Sequence, residues 1–392
     1  MSEQAARPAG RHVMIVAGEA SGDLHGAGLV RAMQRLDLDL RFSGMGGREL
    51  QDAGVELLCD AANLAVVGLI EVLSHLGDIL RARRSLIARL HSDRPALLIL
   101  IDYPDFNLLL AARAKRLGIP ILYYISPQVW AWRKGRVRTI RRLVDRMLVI
   151  LPFEKEFYAR HGMTVDFVGH PLVDSTRAPQ DRGQFVRLHG IDPARNLVGL
   201  LPGSRRKEVA TLLPVFLAAA EQLEQTTPGR YTFLIPQAST IDRSQLDEAG
   251  LAAVAGQLDA RVISGDRYSM MAACDAAVAA SGTVILELAL LDTPTVAAYR
   301  VSPHTYLLAK LLIRRLKHFT LVNLIAGRVI IPELLQDAVH PERIAHELKG
   351  LMEDVERRQV MLEGLGEVRA QLGEPGAADR AAAIALELLN RS

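Results

Sequence analysis

The sequence has few cysteines, few aromatic residues and no long apolar run, and each shortage excludes a class of protein. Among its 392 residues are only two cysteines, Cys59 and Cys274, and aromatic residues make up 5%. Two cysteines without CxxC spacing exclude a disulfide scaffold and indicate a reducing compartment. No apolar run reaches the roughly eighteen residues that span a membrane, and residues 1–10 lack a signal peptide's apolar core. We therefore expect a cytoplasmic protein that is soluble or peripheral to a membrane.

The common nucleotide and metal motifs are also missing. Gly18, Gly22 and Gly26 are spaced by four and do not form GxGxxG, which disfavours a dehydrogenase, and no GxxxxGK[ST] P-loop occurs. The segment Asp37–Asp39 matches the DxD of metal-dependent sugar transferases, but an acidic loop between a helix and a strand is the simpler interpretation. No histidine or cysteine cluster has metal-ligand spacing. We expect no metal, no cofactor and no nucleic-acid partner.

The length and the alternation of apolar runs with helical patterns predict two α/β domains. A chain of 392 residues exceeds what one core supports, and runs that are apolar throughout are typical of parallel strands buried on both faces. The expected fold is two Rossmann-like parallel-sheet domains facing a central cleft, residues 1–180 and 181–340, with helices over 341–392 that return to the first domain. The polar stretch Asp174–Asn196 is the predicted connection. The predicted strands are Val13–Ala17, Arg41–Gly44, Ala96–Ile101, Ile119–Ile125, Met147–Leu151, Leu197–Leu201, Tyr231–Ile235, Arg261–Ile263, Ala276–Ala279 and Thr295–Ala298.

Two of these strands enter a helix through small residues. The first entry is Gly18–Asp23, and the second contains Gly203, Ser204 and Arg205. Such a turn exposes backbone N–H groups that bind anions or sugar hydroxyls. In the second entry, a charge-assisted bond from Arg205, at about 1.5–3 kcal/mol, should outweigh the helix terminus, at about 0.3–1 kcal/mol. The alternative is an ordinary turn with a solvated arginine.

A third segment, Ile101–Asn107, follows the most apolar strand of the first half. Carboxylates at the carboxyl end of a parallel strand lie where α/β sheets bind ligands. Asp105 suits the role of a helix cap. Asp102 precedes Pro104 by two residues and is less natural as a cap, so we interpret it as a candidate general base.

A fourth segment, Ala280–Glu287, is again a strand followed by small residues and a helix. Ser281 or Thr283 suits the N-cap of that helix. Glu287 stands among apolar residues, and burying its carboxylate is costly unless donors such as ribose hydroxyls meet it. A phosphate clamp and a ribose acceptor on one domain, with a base on the other, indicate a sugar transferase with a nucleotide-sugar donor.

Basic residues are concentrated in two stretches. A solvated helix face is the common interpretation, and an anionic lipid or a phosphorylated substrate is the alternative. The apolar segment Leu64–Ile70 is either core or a membrane contact. The basic residues are Arg133, Lys134, Arg136, Arg138, Arg141, Arg142, Arg146, Lys310, Arg314, Arg315 and Lys317.

Eight motifs, spread in order from about Val13 to Gln336, resemble the lipid-A-disaccharide synthase family. The segment containing Trp130 and Trp132 is the most specific of them. Val67 and Val322 depart from the pattern, where a methionine and a proline are usual. The motifs are Gly18–Asp23, Ile101–Asn107, Ser126–Arg133, Leu151–Glu154, Val168–Pro171, Leu201–Arg205, Ala280–Thr283 and Asn323–Arg328.

The resemblance implies a GT-B fold and an inverting transfer from UDP-2,3-diacylglucosamine to 2,3-diacylglucosamine 1-phosphate, giving lipid A disaccharide 1-phosphate and UDP. Asp102 would be the base, with Ser21 beside it. The implied donor residues are Gly203, Ser204, Arg205, Ser281, Gly282, Thr283, Glu287 and Asn323. The implied acceptor or lipid-side residues are Glu19, Asn107, Gln128, Trp130, Trp132 and Arg133. The implied partner is the inner leaflet of the bacterial inner membrane, and a homodimer is one of the oligomeric states left open.

Three other functions remain open at the level of sequence. A transferase of peptidoglycan synthesis and a UDP-N-acetylglucosamine epimerase would use the same architecture. A non-catalytic nucleotide-sugar sensor would keep the clamp without turnover, but it would need neither Asp102 nor Ser21.

Overall fold

The computed structural model describes residues 11–61, 76–132, 135–301 and 317–391, without the side chains of Leu76 and Trp132. The chain divides into two compact units: unit 1 is Met1–Pro171 with Glu374–Ser392, and unit 2 is Leu172–Gly373. The division thus falls at residue 172, and only the last nineteen residues of the tail join unit 1. The stretch Asp174–Asn196, expected to be a connection, belongs to unit 2.

The structure corrects that expectation because the stretch contains a capped helix. The Asp181 carboxylate accepts a hydrogen bond from the Gln184 backbone N–H at 2.8 Å, and the Gln184 side chain accepts one from the Asp181 N–H at 3.1 Å. This reciprocal capping box starts the helix Arg182–Leu188. The proline and glycine residues that suggested a linker lie around it or in its first turn.

Unit 1 is built on a parallel sheet. Its described strands pair in the order β3-β2-β1-β4-β5-β6-β7, and every pairing is parallel. The predicted strands are confirmed, and two edge strands were missed because β3 is half-exposed and β7 has two residues. The strands are β1 His12–Ala17, β2 Arg41–Gly46, β3 Glu56–Asp60, β4 Leu97–Ile101, β5 Ile121–Tyr124, β6 Arg146–Val149 and β7 Asp166–Phe167.

Unit 2 repeats this architecture with described strands in the order β10-β9-β8-β11-β12-β13, again all parallel. Its five predicted strands are confirmed, and the three-residue edge strand β13 was missed. The strands are β8 Asn196–Leu201, β9 Tyr231–Pro236, β10 Ala260–Ile263, β11 Ala276–Ala280, β12 Thr295–Tyr299 and β13 Glu333–Leu335. The prediction of two parallel-sheet α/β units is therefore correct.

Helices connect the strands, as parallel pairing requires. In unit 1 they are α1 Ala20–Leu36, α2 Arg48–Asp52, α3 Leu76–Asp93, α4 Pro104–Arg116, α5 Val129–Trp132, α6 Arg136–Leu143 and α7 Pro152–Ala159. In unit 2 they are α8 Leu172–Ser175, α9 Arg182–Leu188, α10 Arg206–Thr226, α11 Arg243–Leu246, α12 Arg267–Ala273, α13 Thr283–Leu290, α14 Leu321–Ala326, α15 Pro341–Glu353 and α16 Val355–Gln371. Shorter helical turns lie at Asp247–Leu251, Ala252–Val254 and Gln336–Ala338. The last helix, α17 Ala377–Asn390, belongs to unit 1 and packs on α1.

The strand order places a topological switch point in each sheet. In unit 1 the chain leaves β1 towards β2 and later returns to β4 on the other side, and Ala17 is in register with Ile101. In unit 2 β8 and β11 stand in the same relation, with Leu201 beside Ala279. Open α/β sheets bind ligands outside the carboxyl ends of such strands. All four glycine-, serine- or aspartate-bearing turns predicted from sequence follow these four strands.

Within the described residues, no helix is both long enough and apolar enough to cross a membrane.

Candidate active site

The first candidate site is built on a strained turn after β4. Asp102 and Tyr103 both have left-handed backbones, with φ of 42° and 44°, a conformation that costs of order 1–3 kcal/mol per non-glycine residue. The Asn107 amide holds the turn by donating to the Asp102 carbonyl at 2.7 Å and to the Ile101 carbonyl at 3.0 Å. The Tyr123 hydroxyl donates to the same Asp102 carbonyl. These bonds fix the direction in which the Asp102 side chain leaves the chain.

Gly18, at the end of β1, contacts this turn directly. A Cβ placed on Gly18 would overlap the ring and the Cβ of Tyr103. Tyr103 in turn packs against Phe106, with 5.5 Å between ring centroids. The absence of a side chain at residue 18 is therefore what lets the two switch-point turns meet.

The environment of Asp102 favours the protonated carboxyl. Burial, and to a smaller extent the negative charge of Glu19, raises the pKa of Asp102 to about 6. A carboxylate with this pKa is mostly ionised at neutral pH and is a stronger base than an ordinary aspartate. The turn thus holds a carboxylate in a defined direction with a tuned proton affinity.

We expect Tyr123→Phe to lower kcat by about three- to tenfold, because it removes one of the two hydrogen bonds that hold the Asp102 carbonyl, each worth about 1 kcal/mol. The protein should remain folded, since the ring of Tyr123 still fills its buried position. Steady-state kinetics with a thermal unfolding curve would check this. Tyr124→Phe, on the same strand, is the matched control and should leave kcat unchanged; equal losses in both variants would contradict the assignment.

Glu19 and Ser21 are exposed at the start of α1, where Glu19 occupies the N-cap position. Asp23, in the same motif, is buried and accepts hydrogen bonds from the N–H groups of Gly47 at 2.6 Å and Glu49 at 3.0 Å. Asp23 therefore fills the backbone N–H cradle after β2. Of the Gly18–Asp23 motif, Glu19 and Ser21 are thus the polar side chains exposed at the switch point.

Two predicted helix caps were wrong. Asp105 lies inside the first turn of α4, whose N-cap is Tyr103, and pairs with Arg136 instead. In unit 2 the N-cap of α13 is Gly282, which makes no side-chain cap bond, with Thr283 as the first helical residue. Both helices follow a switch-point strand, so the turn geometry fixes where they begin.

The turn after β5 is anchored by buried polar groups. The Ser126 and Tyr158 hydroxyls are 2.8 Å apart, and the Leu151 N–H donates to the Glu154 carboxyl at 3.1 Å. Burial raises the pKa of Glu154 to about 8, so it is protonated at neutral pH. Trp130 packs edge-on against Phe153 at 5.0 Å between centroids.

The predicted acceptor-side residues differ in their exposure. Trp130 and Asn107 are buried, so both support the turns of the site by packing and hydrogen bonding beneath its exposed surface. Gln128 is exposed beside them. The side chain of Trp132, and the whole of Arg133, lie outside the described residues, as does the segment Leu64–Ile70.

In unit 2, the turn after β8 carries Gly203, Ser204 and Arg205. Gly203 has φ of 107°, in the region that favours glycine, and the Thr240 hydroxyl donates to the Ser204 carbonyl at 2.6 Å. The Arg205 side chain is 63% exposed and donates to Glu208 at 2.9 Å. This turn presents an exposed cation at the start of the 21-residue helix α10.

The turn after β11 lies beside it. Ser281 and Gly282 are at least partly exposed, and a Cβ on Gly282 would meet open space. Glu287, one turn into α13, is buried, and its carboxylate accepts hydrogen bonds from two protein groups; the predicted contact with ribose hydroxyls stays a prediction. Arg267 donates to its Oε1 at 2.9 Å and the Tyr268 hydroxyl at 3.1 Å.

Asn323 holds a loop. It is fully buried; its Oδ1 accepts from the Ile330 and Ile331 N–H groups at 2.7 and 3.0 Å, and its Nδ2 donates to the Ile331 carbonyl at 2.9 Å. The structure thus gives it a role in shaping the 327–331 loop.

Several residues around these turns carried no sequence signal. Tyr123 reads as an ordinary aromatic residue of a buried strand, and Arg267 and Tyr268 lie some twenty residues before Glu287. Glu154 was part of a motif, but its role depends on a fold contact. The sequence did indicate that the Glu287 carboxylate needs hydrogen-bond donors, because a charged residue stands there among apolar ones.

Two parallel-sheet units with polar turns at both switch points define the class: this is a GT-B fold, the architecture of nucleotide-sugar glycosyltransferases. Similar solved structures include a kitacinnamycin glycotransferase, at 17% identity and TM-score 0.64 over 97% of this chain and 100% of that one. Another is the UDP-GlcNAc 2-epimerase from Neisseria meningitidis bound to UDP-GlcNAc, at 12% identity and TM-score 0.60 over 97% and 100%.

Sequence comparison gives the particular family. The family model for lipid-A-disaccharide synthetase matches residues 13–387. The lipid-A-disaccharide synthase of Geobacter sulfurreducens is 50% identical over 97% of both chains, and that of Syntrophus aciditrophicus is 51% identical over 97% of this chain and 98% of its own. The chain belongs to the lipid-A-disaccharide synthetase family, and it is an enzyme of lipid A biosynthesis.

Proposed function

We propose that this enzyme transfers the diacylglucosamine unit of UDP-2,3-diacylglucosamine to 2,3-diacylglucosamine 1-phosphate with inversion. Asp102 takes the proton of the acceptor hydroxyl as its oxygen attacks the anomeric carbon, and the bond from that carbon to UDP breaks on the opposite side. The products are lipid A disaccharide 1-phosphate and UDP. Glu19 and Ser21 lie at the acceptor side of Asp102, on the surface of unit 1.

The observation that carries this proposal is the Asp102 turn. A strained backbone held by Asn107 and Tyr123 is costly to maintain, and such strain is concentrated at functional sites. A base needs a fixed direction and a proton affinity suited to neutral pH, and Asp102 has both. A binding protein would need neither.

A difference between the two units supports the proposal that unit 2 holds the nucleotide. In unit 1 the backbone cradle after β2 is filled by the Asp23 carboxylate, which would repel a phosphate. In unit 2 the Gly203–Arg205 turn carries an exposed cation. Fixed cations can stabilise the negative charge of the leaving UDP, so we expect turnover without added divalent metal.

The direct test is to incubate the purified protein with both acylated substrates, without divalent metal, and to analyse products by mass spectrometry. Disaccharide phosphate and UDP in equal amounts would support the proposal. Release of UDP with UDP-N-acetylglucosamine and no lipid, or its epimerisation, would favour the reactions of the other GT-B enzymes. No product with either donor would contradict it.

We expect Arg205→Ala to weaken UDP binding by about 10–100-fold, because a charge-assisted hydrogen bond is worth about 1.5–3 kcal/mol. Calorimetry of UDP binding would measure it. The neighbouring Arg206, exposed and 3.8 Å from Glu248, supplies the control. Equal losses in Arg205→Ala and Arg206→Ala would indicate a diffuse charge effect rather than a specific contact.

We propose that α6 contacts the anionic inner leaflet from which the acylated substrates come. Val137, Ile140 and Leu143 are buried, so the helix docks on unit 1 by that face. Arg138, Arg141 and Arg142 are exposed, and each basic residue near an anionic surface is worth about 1 kcal/mol.

Reversing the charge of Arg138, Arg141 and Arg142 to glutamate should therefore weaken binding to vesicles containing anionic lipid by about 100-fold or more. Flotation with vesicles of neutral and anionic composition would measure this. The control is the same charge change at three exposed arginines of unit 2, Arg230, Arg243 and Arg343. Similar losses of vesicle binding in both triple variants would show that net charge causes the effect, and would contradict a specific contact by α6.

A further inference from the structure

Arg267 and Tyr268 form a cluster with Glu287 that the sequence did not suggest. Arg267 is the first residue of α12, which follows β10, and Glu287 lies on α13, which follows β11. Because both helices begin at the carboxyl edge of the same parallel sheet, the cluster lies at the edge that also carries Gly203–Arg205. It is therefore on the side of unit 2 where its switch point binds ligands.

The cluster fixes the guanidinium group of Arg267. Its Nη2 donates to Glu287 Oε1 at 2.9 Å and to the Tyr268 hydroxyl at 2.7 Å, and its Cζ lies 4.7 Å from the centre of the Tyr268 ring. The two N–H groups of Nη2 are thereby used. A guanidinium has five N–H donors, and the contacts made by the described residues leave those of Nη1 and Nε for other acceptors.

The exposures of the two partners are unequal. The Glu287 side chain is 7% exposed, whereas that of Arg267 is 52% exposed. An exposed ion pair contributes only about 0–1 kcal/mol, and burying a carboxylate costs several kcal/mol. Stability alone does not explain a buried acid that holds an exposed arginine in place.

We propose that Arg267 is a second anion-binding arginine of the nucleotide site and contacts the diphosphate of the donor. Glu287 and Tyr268 are positioning residues that hold its guanidinium in a fixed orientation. Arg205, which is 63% exposed and pairs with Glu208, is the other anion-binding arginine. This inference rests on the proposed function, since it assumes that unit 2 binds a uridine diphosphate.

The experiment compares the binding of UDP and of uridine, which differ only in the diphosphate group. We expect Arg267→Gln to weaken UDP binding by about 10–50-fold and to leave uridine binding within twofold, because only the diphosphate contact is lost. Glu287→Gln and Tyr268→Phe should show the same selectivity with smaller losses for UDP. Calorimetry would give the UDP affinities, and uridine would be measured by competition against UDP.

Arg243→Gln is the matched control. Arg243 is 60% exposed and donates to the Asp247 carboxylate at 3.1 Å, so the variant removes the same charge from a similar surface pair. It should leave both affinities unchanged.

Equal losses for UDP and uridine in Arg267→Gln would indicate a structural role and overturn the inference, as would unchanged UDP binding. Wild-type protein that binds UDP in either case leaves the proposed function intact. Wild-type protein that binds no UDP would overturn the proposed function and this inference together. Thermal unfolding curves of each variant would identify any loss that reflects misfolding.

Discussion

Asp102→Asn is expected to lower kcat by about 10²–10⁴-fold while UDP affinity stays within twofold, because a general base, the role proposed for Asp102, contributes on that scale and the proposed nucleotide site lies in unit 2. Asparagine is the right replacement since it tolerates the left-handed backbone of residue 102, with φ of 42°. Single-turnover kinetics and calorimetry would measure the two quantities. Near-normal turnover would exclude Asp102 as the base.

The pH dependence gives an independent signature of the same residue. With the pKa of Asp102 at about 6, kcat/KM should fall about tenfold per pH unit below that value, as the carboxylate becomes protonated. The charge of Glu19 raises this pKa, so Glu19→Gln should move the fall to lower pH. A profile that does not move in Glu19→Gln would assign it to another group.

Stability should respond in the opposite direction to activity. A carboxyl group whose pKa is higher in the folded protein than in the unfolded chain opposes folding increasingly as pH rises from its ordinary pKa of 3.8 to about 6, and fully above that. Asp102→Asn should therefore raise the free energy of unfolding at pH 8, and the gain should shrink as pH falls towards 4. A gain in stability with a loss of turnover is expected when a buried charge is kept for function.

Features of the fold could be predicted from the sequence where neighbouring residues in the chain determine them. Strands such as β4 are apolar along their whole length, which only burial on both faces explains, and they were found. The edge strands β3, β7 and β13 are short or half-exposed, so they carry no such pattern. Asp102 could be singled out because Pro104 follows it closely and a buried strand precedes it.

Contacts between distant residues could not be predicted. The Tyr123 hydroxyl meets the Asp102 carbonyl only because β5 pairs with β4. The sequence indicated that the Glu287 carboxylate needs hydrogen-bond donors. It could not indicate whether those donors are ligand hydroxyls or an arginine on the preceding helix. The contacts of Asn323 with the Ile330 and Ile331 backbone also depend on the fold, and its predicted contact with the nucleotide stays a prediction.

Gly18→Ala is the second large effect that we expect, at about 100-fold in kcat. The new Cβ would overlap the Cβ and Cγ of Tyr103, and because these atoms lie next to the backbone, relieving the overlap displaces the turn that carries Asp102. Misplacing a catalytic group by about 1 Å costs on the order of 10²-fold. UDP binding should be unaffected because unit 2 is unchanged.

A double-mutant cycle separates this steric cause from general damage to unit 1. In Tyr103→Gly the ring and its Cβ are gone, and glycine suits the left-handed backbone, with φ of 44°. Adding Gly18→Ala to that background should cost less than threefold, because coupling is confined to residues in contact. Gly28→Ala, on α1, where the nearest atom to a new Cβ is 3.9 Å away, is the control and should be neutral. If Gly18→Ala is equally damaging with and without the Tyr103 ring, the contact between the two turns does not position Asp102.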